Sequence, residues 1–227
     1  MLNLISSMAT RHVLAELATA WQQASGVEVI IESVGGVDAA KRVQAGEAFD
    51  GVVLASDAID KLISSGHALA GSRVDLVRSQ VAVAVKAGAA RPDISTESSL
   101  RSAIEAAATI GYSTGPSGVA LVELFERWGI AESVQSRIVQ APPGVPVGTL
   151  VALGDVALGF QQYSELLPLE GIRVLGTLPE PVGITTVFSA ATCAQSSQRE
   201  ILASLLAYMT SSDAAAVKRR HGMDAAA

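Results

Sequence analysis

At 227 residues the chain is long enough for one large domain or two small lobes that each bury a core. Apolar residues at 49% against 17% charged exclude a disordered chain, and a net charge of −6 with one basic cluster, Lys218-Arg219-Arg220, excludes a general nucleic-acid binder. A single cysteine, Cys193, and three scattered histidines, His12, His67 and His221, form no disulfide and no zinc-binding spacing, so neither a metal nor a cofactor is expected.

The chain opens at once into strand-like Leu2-Asn3-Leu4-Ile5-Ser6, with no basic segment, apolar stretch or small-residue cleavage site ahead of it. This predicts a cytoplasmic protein, or a periplasmic one if a leader has been removed. A helix is expected over residues 9–25, where Leu14, Leu17, Ala18 and Trp21 share a face and Gly26 stops the pattern. A strand follows at Val27–Glu32, a helix at Val37–Ala45 ended by Gly46, and a strand at Gly51–Ala55. Asp57 then caps a helix that ends at Gly66. Gln80–Ala87 alternates Val and Ala as a buried strand, with a helix near 96–108 and a strand at Thr109–Tyr112 beyond it. Leu121, Leu124, Phe125 and Trp128 mark a helix over 117–128, and another covers about 146–153. Strands at Val156–Gln161 and Thr185–Ala190 precede a long final helix built on Ile201, Leu202, Leu205, Leu206 and Met209. The longest apolar runs, such as Val81 to Val85, are strand-length, so no membrane insertion is expected.

Strands alternating with helices signal parallel α/β units. One sheet of about nine strands is wide, so the expectation is two α/β lobes, each a mostly parallel sheet flanked by helices. Lobe one is 1–79 plus 185–227, and lobe two is 80–184.

Four strand-to-helix turns carry the chemistry: Ser6-Ser7-Met8, Ser33-Val34-Gly35-Gly36, the run from Tyr112 through Thr114 and Ser117 to Gly118, and the run from Pro142 through Pro146 and Val147 to Gly148. Such turns lie at the carboxyl ends of strands, where α/β sheets bind ligands. Each opens a helix, offering free N–H groups and a partial positive charge to an anion. Gly and Ser are also ordinary turn residues, so it is their recurrence that points to a site. No dinucleotide or P-loop motif is present, and Gly115-Pro116-Ser117-Gly118 lacks the spacing of a hydrolase nucleophile elbow. Cys193 reads as a small buried hydrophobe.

In order along the chain, Ser6-Ser7, Ser33-Val34-Gly35-Gly36, the stretch from Val43 to Glu47, Asp50 to Ser56, Gly115 to Gly118, Ala157 to Gln162 and Lys218 to Gly222 make it resemble the molybdate-type periplasmic binding proteins. These are solute receptors of ABC transporters. The resemblance runs nearly end to end and implies a two-lobed type II periplasmic-binding-protein-like fold with the ligand in a cleft between lobes. It places Ser7 and the Ser33–Gly36 turn in the lobe-one ligand positions, and Ser117 with the Pro146–Val147 turn in those of lobe two. The chain departs from that family where Gly35-Gly36 replaces a serine-rich turn and where Gln162 replaces a ligand tyrosine, with Tyr163 one step on along the strand and facing elsewhere.

These departures take the ligand away from molybdate. Some proteins resembling that family isomerise aconitate, and the amides of Gln161 and Gln162 suit carboxylates. Two readings follow. One is a cofactor-independent isomerase of a small di- or tricarboxylate; the other is a non-catalytic receptor or sensor for a small oxyanion, partnered by an ABC transporter if a leader has been removed. Isomerisation needs clamps and a base. The clamps are Ser6, Ser7, Ser33, Gly35, Gly36, Thr114, Ser117, Gly118, Pro146, Val147, Gln161 and Gln162, with Arg42 and Arg78 as charged partners. The base is one of Glu165, Asp38, Tyr112 or His12. Their plainer roles are a helix cap or ion pair, a first-turn carboxylate, a core phenol and a solvated helix residue.

Overall fold

In the computed structural model, which describes residues 1–226, the chain is a mixed α/β protein that divides into two compact units. Unit 1 comprises Met1–Ser79 and Thr186–Ala227, and unit 2 is Gln80–Thr185. Strand β1 (Leu2–Ser7) leads through a 3-10 turn into α1 (Arg11–Ser25), then β2 (Val29–Val34), α2 (Gly36–Gln44), β3 (Gly51–Ala55) and α3 (Ser56–Ser64). Strand β4 (Val74–Lys86) crosses into unit 2, which continues through α4 (Glu97–Ala106), β5 (Ile110–Tyr112), α5 (Pro116–Arg127) and α6 (Ala131–Val134). Next come β6 (Ile138–Gln140), α7 (Val147–Leu153), β7 (Leu158–Gln162), α8 (Tyr163–Leu166) and β8 (Ile172–Thr177). The chain returns through β9 (Thr185–Thr192) to α9 (Arg199–Thr210), α10 (Ala215–Arg220) and β10 (Asp224–Ala225).

In unit 1, β1 lies between β2 and β3 and runs parallel to both, while β9 pairs antiparallel with β3. Alternation along β1 sorts its side chains between two layers. Leu2 and Leu4 pack with Val13, Leu14, Leu17 and Trp21 of α1 and with Leu202, Leu205 and Met209 of α9, whereas Ile5 joins Ala39, Val43 and Ile59 of α2 and α3 on the other face. Helix α1 stops at Gly26, whose φ of 72° supplies the left-handed C-cap that other residues adopt only with strain. In unit 2, β5 runs parallel to β6 and β7, and β4 pairs antiparallel with β7 and β8. Its main core joins Val81, Val83 and Phe160 of the sheet to Leu100, Ile104, Leu121, Leu124 and Phe125 of the helices.

Several elements differ from expectation. Strand β4 begins at Val74, because Leu76 and Val77 are buried although Asp75 and Arg78 flank them. Asp57 does not cap α3; Ala55 holds the cap position, and Asp57 sits exposed in the first turn facing Lys61. Tyr163 is not on a strand but opens α8 and packs beside Ala82, Ala84 and Leu166. The residues of the basic C-terminal cluster have separate surroundings. Lys218 is 2% exposed with its Nζ donating to Leu76 O at 2.8 Å, and Arg220 pairs with Glu16. No helix among the described residues is long and apolar enough to cross a membrane.

Candidate functional site

The carboxyl ends of β1, β2 and β3 form one edge of the unit 1 sheet. Register places Ser6 opposite Ser33 and Ser7 opposite Val34. The hydroxyls of Ser6 and Ser33, two of the expected clamps, bond to each other at 2.8 Å and are engaged within the fold. Ser7 faces the other way. Its Oγ is buried and has no hydrogen-bond partner, an unusual state for a residue only 7% exposed. Beside it α2 begins at Gly36 with Gly35 as N-cap and no side chain covering the first N–H groups. A methyl group on Gly36 would lie 3.8 Å from Ser7 Cβ, so Ser7 and the open end of α2 are neighbours. Asp38 stands exposed in the first turn of α2, 3.4 Å from where a Gly35 side chain would begin.

Two further hydroxyls at this edge were not singled out from the sequence. Ser56, at the start of α3, donates to Val187 O at 3.0 Å and lies 2.9 Å from Ser189 Oγ, which in turn donates to Asp75 at 2.6 Å. The Ala55-Ser56 turn had the same strand-to-helix form as the other four, and that was the available signal.

The arginines expected to face an anion are otherwise occupied. Arg42 binds Glu47 and Glu32, with Nη2 to Glu32 Oε2 at 2.9 Å, and stacks over Phe49. The Glu32 and Glu47 carboxylates hold its pKa above the ordinary arginine value. Arg78 Nε donates to Ala225 O at 3.1 Å, on the strand pair between β4 and β10. His12 stacks on His221 at 6.3 Å, on the α1–α10 side of unit 1, and burial, then Arg11 and His221, hold its pKa below the usual imidazole value. His12 is thus engaged with His221.

At the corresponding edge of unit 2, β5 ends at Tyr112, and its turn leads to α5. The turn packs so tightly that a methyl group on Gly118 would fall 1.8 Å from Ser113 O and 2.7 Å from Tyr112 Cδ2. Gly115 caps α5 without a side chain, Pro116 occupies the first turn, and Thr114 is exposed. Buried Ser117 pairs with Ser113 Oγ at 3.1 Å. Tyr112 is partly buried against the main unit 2 core.

The second turn of unit 2 differs from expectation. Pro146 is the N-cap of α7, but the N–H of Val147 is not free for an anion. It donates to Gln161 Oε1 at 2.8 Å, and the Gly148 N–H reaches the same oxygen at 3.4 Å. Gln161 therefore closes α7, and its Nε2 donates to Glu165 Oε1 at 2.9 Å. Gln162, opposite Val81 of β4, is buried on the other face of β7. Glu165 sits on α8 just beyond β7 and is partly buried. Burial, only partly offset by the Gln161 donor, pushes its pKa up to about 7. An acid poised near neutral pH can take up and release a proton.

A model of the family described as bacterial extracellular solute-binding protein matches residues 2–224. The chain belongs to that family. An aconitate isomerase from a Pseudomonas species is 37% identical over 220 residues that cover 94% of this chain and 84% of the relative. The periplasmic molybdate-binding protein of Azotobacter vinelandii superposes with a TM-score of 0.80 at 20% identity, covering 98% of each chain. The sulfate-binding protein SubI of Mycobacterium tuberculosis gives 0.78 at 14% identity, covering 99% of this family member and 86% of its own chain. These likenesses fix the fold as that of the periplasmic binding proteins.

Proposed function

We propose that this chain isomerises a small tricarboxylate of the aconitate type by moving one allylic proton, with Glu165 as the group that carries it. The observation that carries the reading is the partly buried Glu165 carboxyl just beyond β7, held by Gln161 Nε2 at 2.9 Å and pushed up in pKa by burial. In the reaction Glu165, as carboxylate, takes a proton from the methylene carbon of the substrate. The C–H electron pair becomes the new double bond. The pair of the old double bond takes the proton back at the former vinylic carbon, so no atom or electron is gained or lost and no cofactor is needed. Each unit carries its own candidate holders of a carboxylate: the Ser7 hydroxyl and the open start of α2 in unit 1, and Ser117, Thr114 and the open start of α5 in unit 2. Gln162 adds an amide at the end of β7. The expected outcome is trans-aconitate formed from cis-aconitate by the purified chain, followed by proton NMR. Tight binding without turnover at high protein concentration overturns the reading.

That negative result is the prediction of the second reading, a receptor for a small anion serving a transporter, which the family description favours. Micromolar molybdate or tungstate binding with no response to tricarboxylates would establish it. The cytoplasmic location expected from the sequence is carried as part of the first reading. The family's extracellular description is its competitor, and fractionation of cells carrying the native gene decides between them.

A further inference from the structure

We infer that Gln161 is a positioning residue that dedicates Glu165 Oε1 to accepting a hydrogen bond and leaves Oε2 as the oxygen that handles the proton. This inference rests on the proposal that Glu165 is the proton carrier.

The argument begins at α7. Backbone N–H groups only donate, so the Gln161 amide atom facing Val147 and Gly148, at 2.8 and 3.4 Å, has to be its oxygen. Side-chain amides are symmetric in outline, and here the helix start removes that ambiguity. The other end of the amide is then the NH2 group, which also only donates. It meets Glu165 Oε1 at 2.9 Å, so Oε1 accepts in both protonation states of the acid. The carbonyl oxygen of a carboxylic acid is its better acceptor, which puts the proton of the neutral acid on Oε2. Gln161 is 2% exposed and its backbone is paired with Ala82 in the sheet, so the amide is held from both ends. Polarisation runs the same way along the chain of bonds. The N–H groups at the start of α7 draw on the amide oxygen and strengthen its NH2 as a donor to the carboxylate.

Gln161 therefore does two things that act oppositely on separate observables. It caps α7, which any acceptor of similar length can do, and it lowers the proton affinity of Glu165, which only a donor can do. The substitution Q161L removes both without adding a charge; Q161E keeps an acceptor for Val147 and Gly148 but sets a second carboxylate beside Glu165, which raises its proton affinity by charge alone.

The measurement is carboxyl 13C NMR on the full chain with labelled glutamate, titrated between pH 4 and 10. In the unaltered protein the Glu165 signal is expected to titrate near pH 7, and the side-chain 15N signal of Gln161 to shift with the same midpoint. In Q161L the Glu165 proton affinity is expected to rise about tenfold, while Q161E keeps α7 intact by amide exchange. The pH dependence of isomerisation is expected to move upwards in parallel. A Gln161 signal that stays flat while Glu165 titrates, or an unchanged Glu165 midpoint in Q161L, overturns the inference. The wild-type titration stands even if a variant does not fold. A coupled Gln161–Glu165 titration in a chain that turns over no aconitate supports the positioning role and removes the isomerase reading alone.

Discussion

At the residue scale two side chains divide the proposed work, and each can be tested apart from the other. Glu165→Gln keeps the shape of the acid and removes the proton carrier. Turnover is expected to fall by roughly 10²–10⁴ while ligand-induced thermal stabilisation persists. Ser7→Ala takes away a buried hydroxyl that has no partner in the fold. The unliganded Tm should therefore be equal or higher, while ligand capture weakens by about 1–3 kcal/mol, or roughly 5- to 150-fold. A fall in Tm together with unchanged affinity would assign Ser7 to the fold instead. Ser7, Ser117 and Glu165 stand out in the sequence as candidates because small hydroxyls and an acid follow strand ends, and their roles are proposals. What the sequence did not carry was who bonds to whom. Ser6 and Ser33 stand opposite each other only through β1–β2 register, and the Val147 N–H meets Gln161 across 14 positions of chain.

At the element scale, two glycines beside the two helix starts face different constraints. Gly118→Ala drives a methyl group into the Ser113 carbonyl, which backbone cannot yield, so the start of α5 must shift. A loss above about 3 kcal/mol by chemical denaturation is expected, in line with overpacking at a backbone contact. Gly36→Ala meets only ordinary contacts at 3.8 and 3.9 Å and should change stability by less than about 1 kcal/mol. The long helices and buried strands were legible because a 3.6- or 2-residue period persists through them, as in α1, α5 and α9. Short pieces were not. Helices α6 and α8 and strand β6 span three or four residues each, fewer than a periodic pattern needs to declare itself, and β8 is only half-buried.

At the scale of the whole molecule, chain connectivity and proton linkage both have measurable consequences. Unit 1 is assembled from two stretches, and β9, from the second, pairs with β3 from the first. A chain ending at Thr185 should lose amide protection throughout α1 and β1 yet keep it in α5, whose core partners Val81, Phe160 and Leu100 all remain. Glu165 binds its proton more tightly folded than unfolded. Its contribution to stability is therefore complete below about pH 4.5 and is lost as pH rises through about 7. Relative to Glu165→Gln, the unaltered chain should lose at most about 3 kcal/mol across that window, read from denaturation midpoints at successive pH values.

The donors assigned here are hydroxyls, amides and helix starts, none with a formal positive charge, on a protein whose net charge is −6. A polyanion approaching such a surface is repelled at long range and captured only at contact. Added salt screens the repulsion, but it has little purchase on short hydrogen bonds made out of water. The association rate should thus climb as ionic strength rises, while the dissociation rate holds nearly constant, the reverse of the slowing seen when a cationic site draws its ligand in. Stopped-flow binding of trans-aconitate between 10 and 300 mM salt reads both rates, and an association rate that falls with salt would point to a cationic side chain in the capture step.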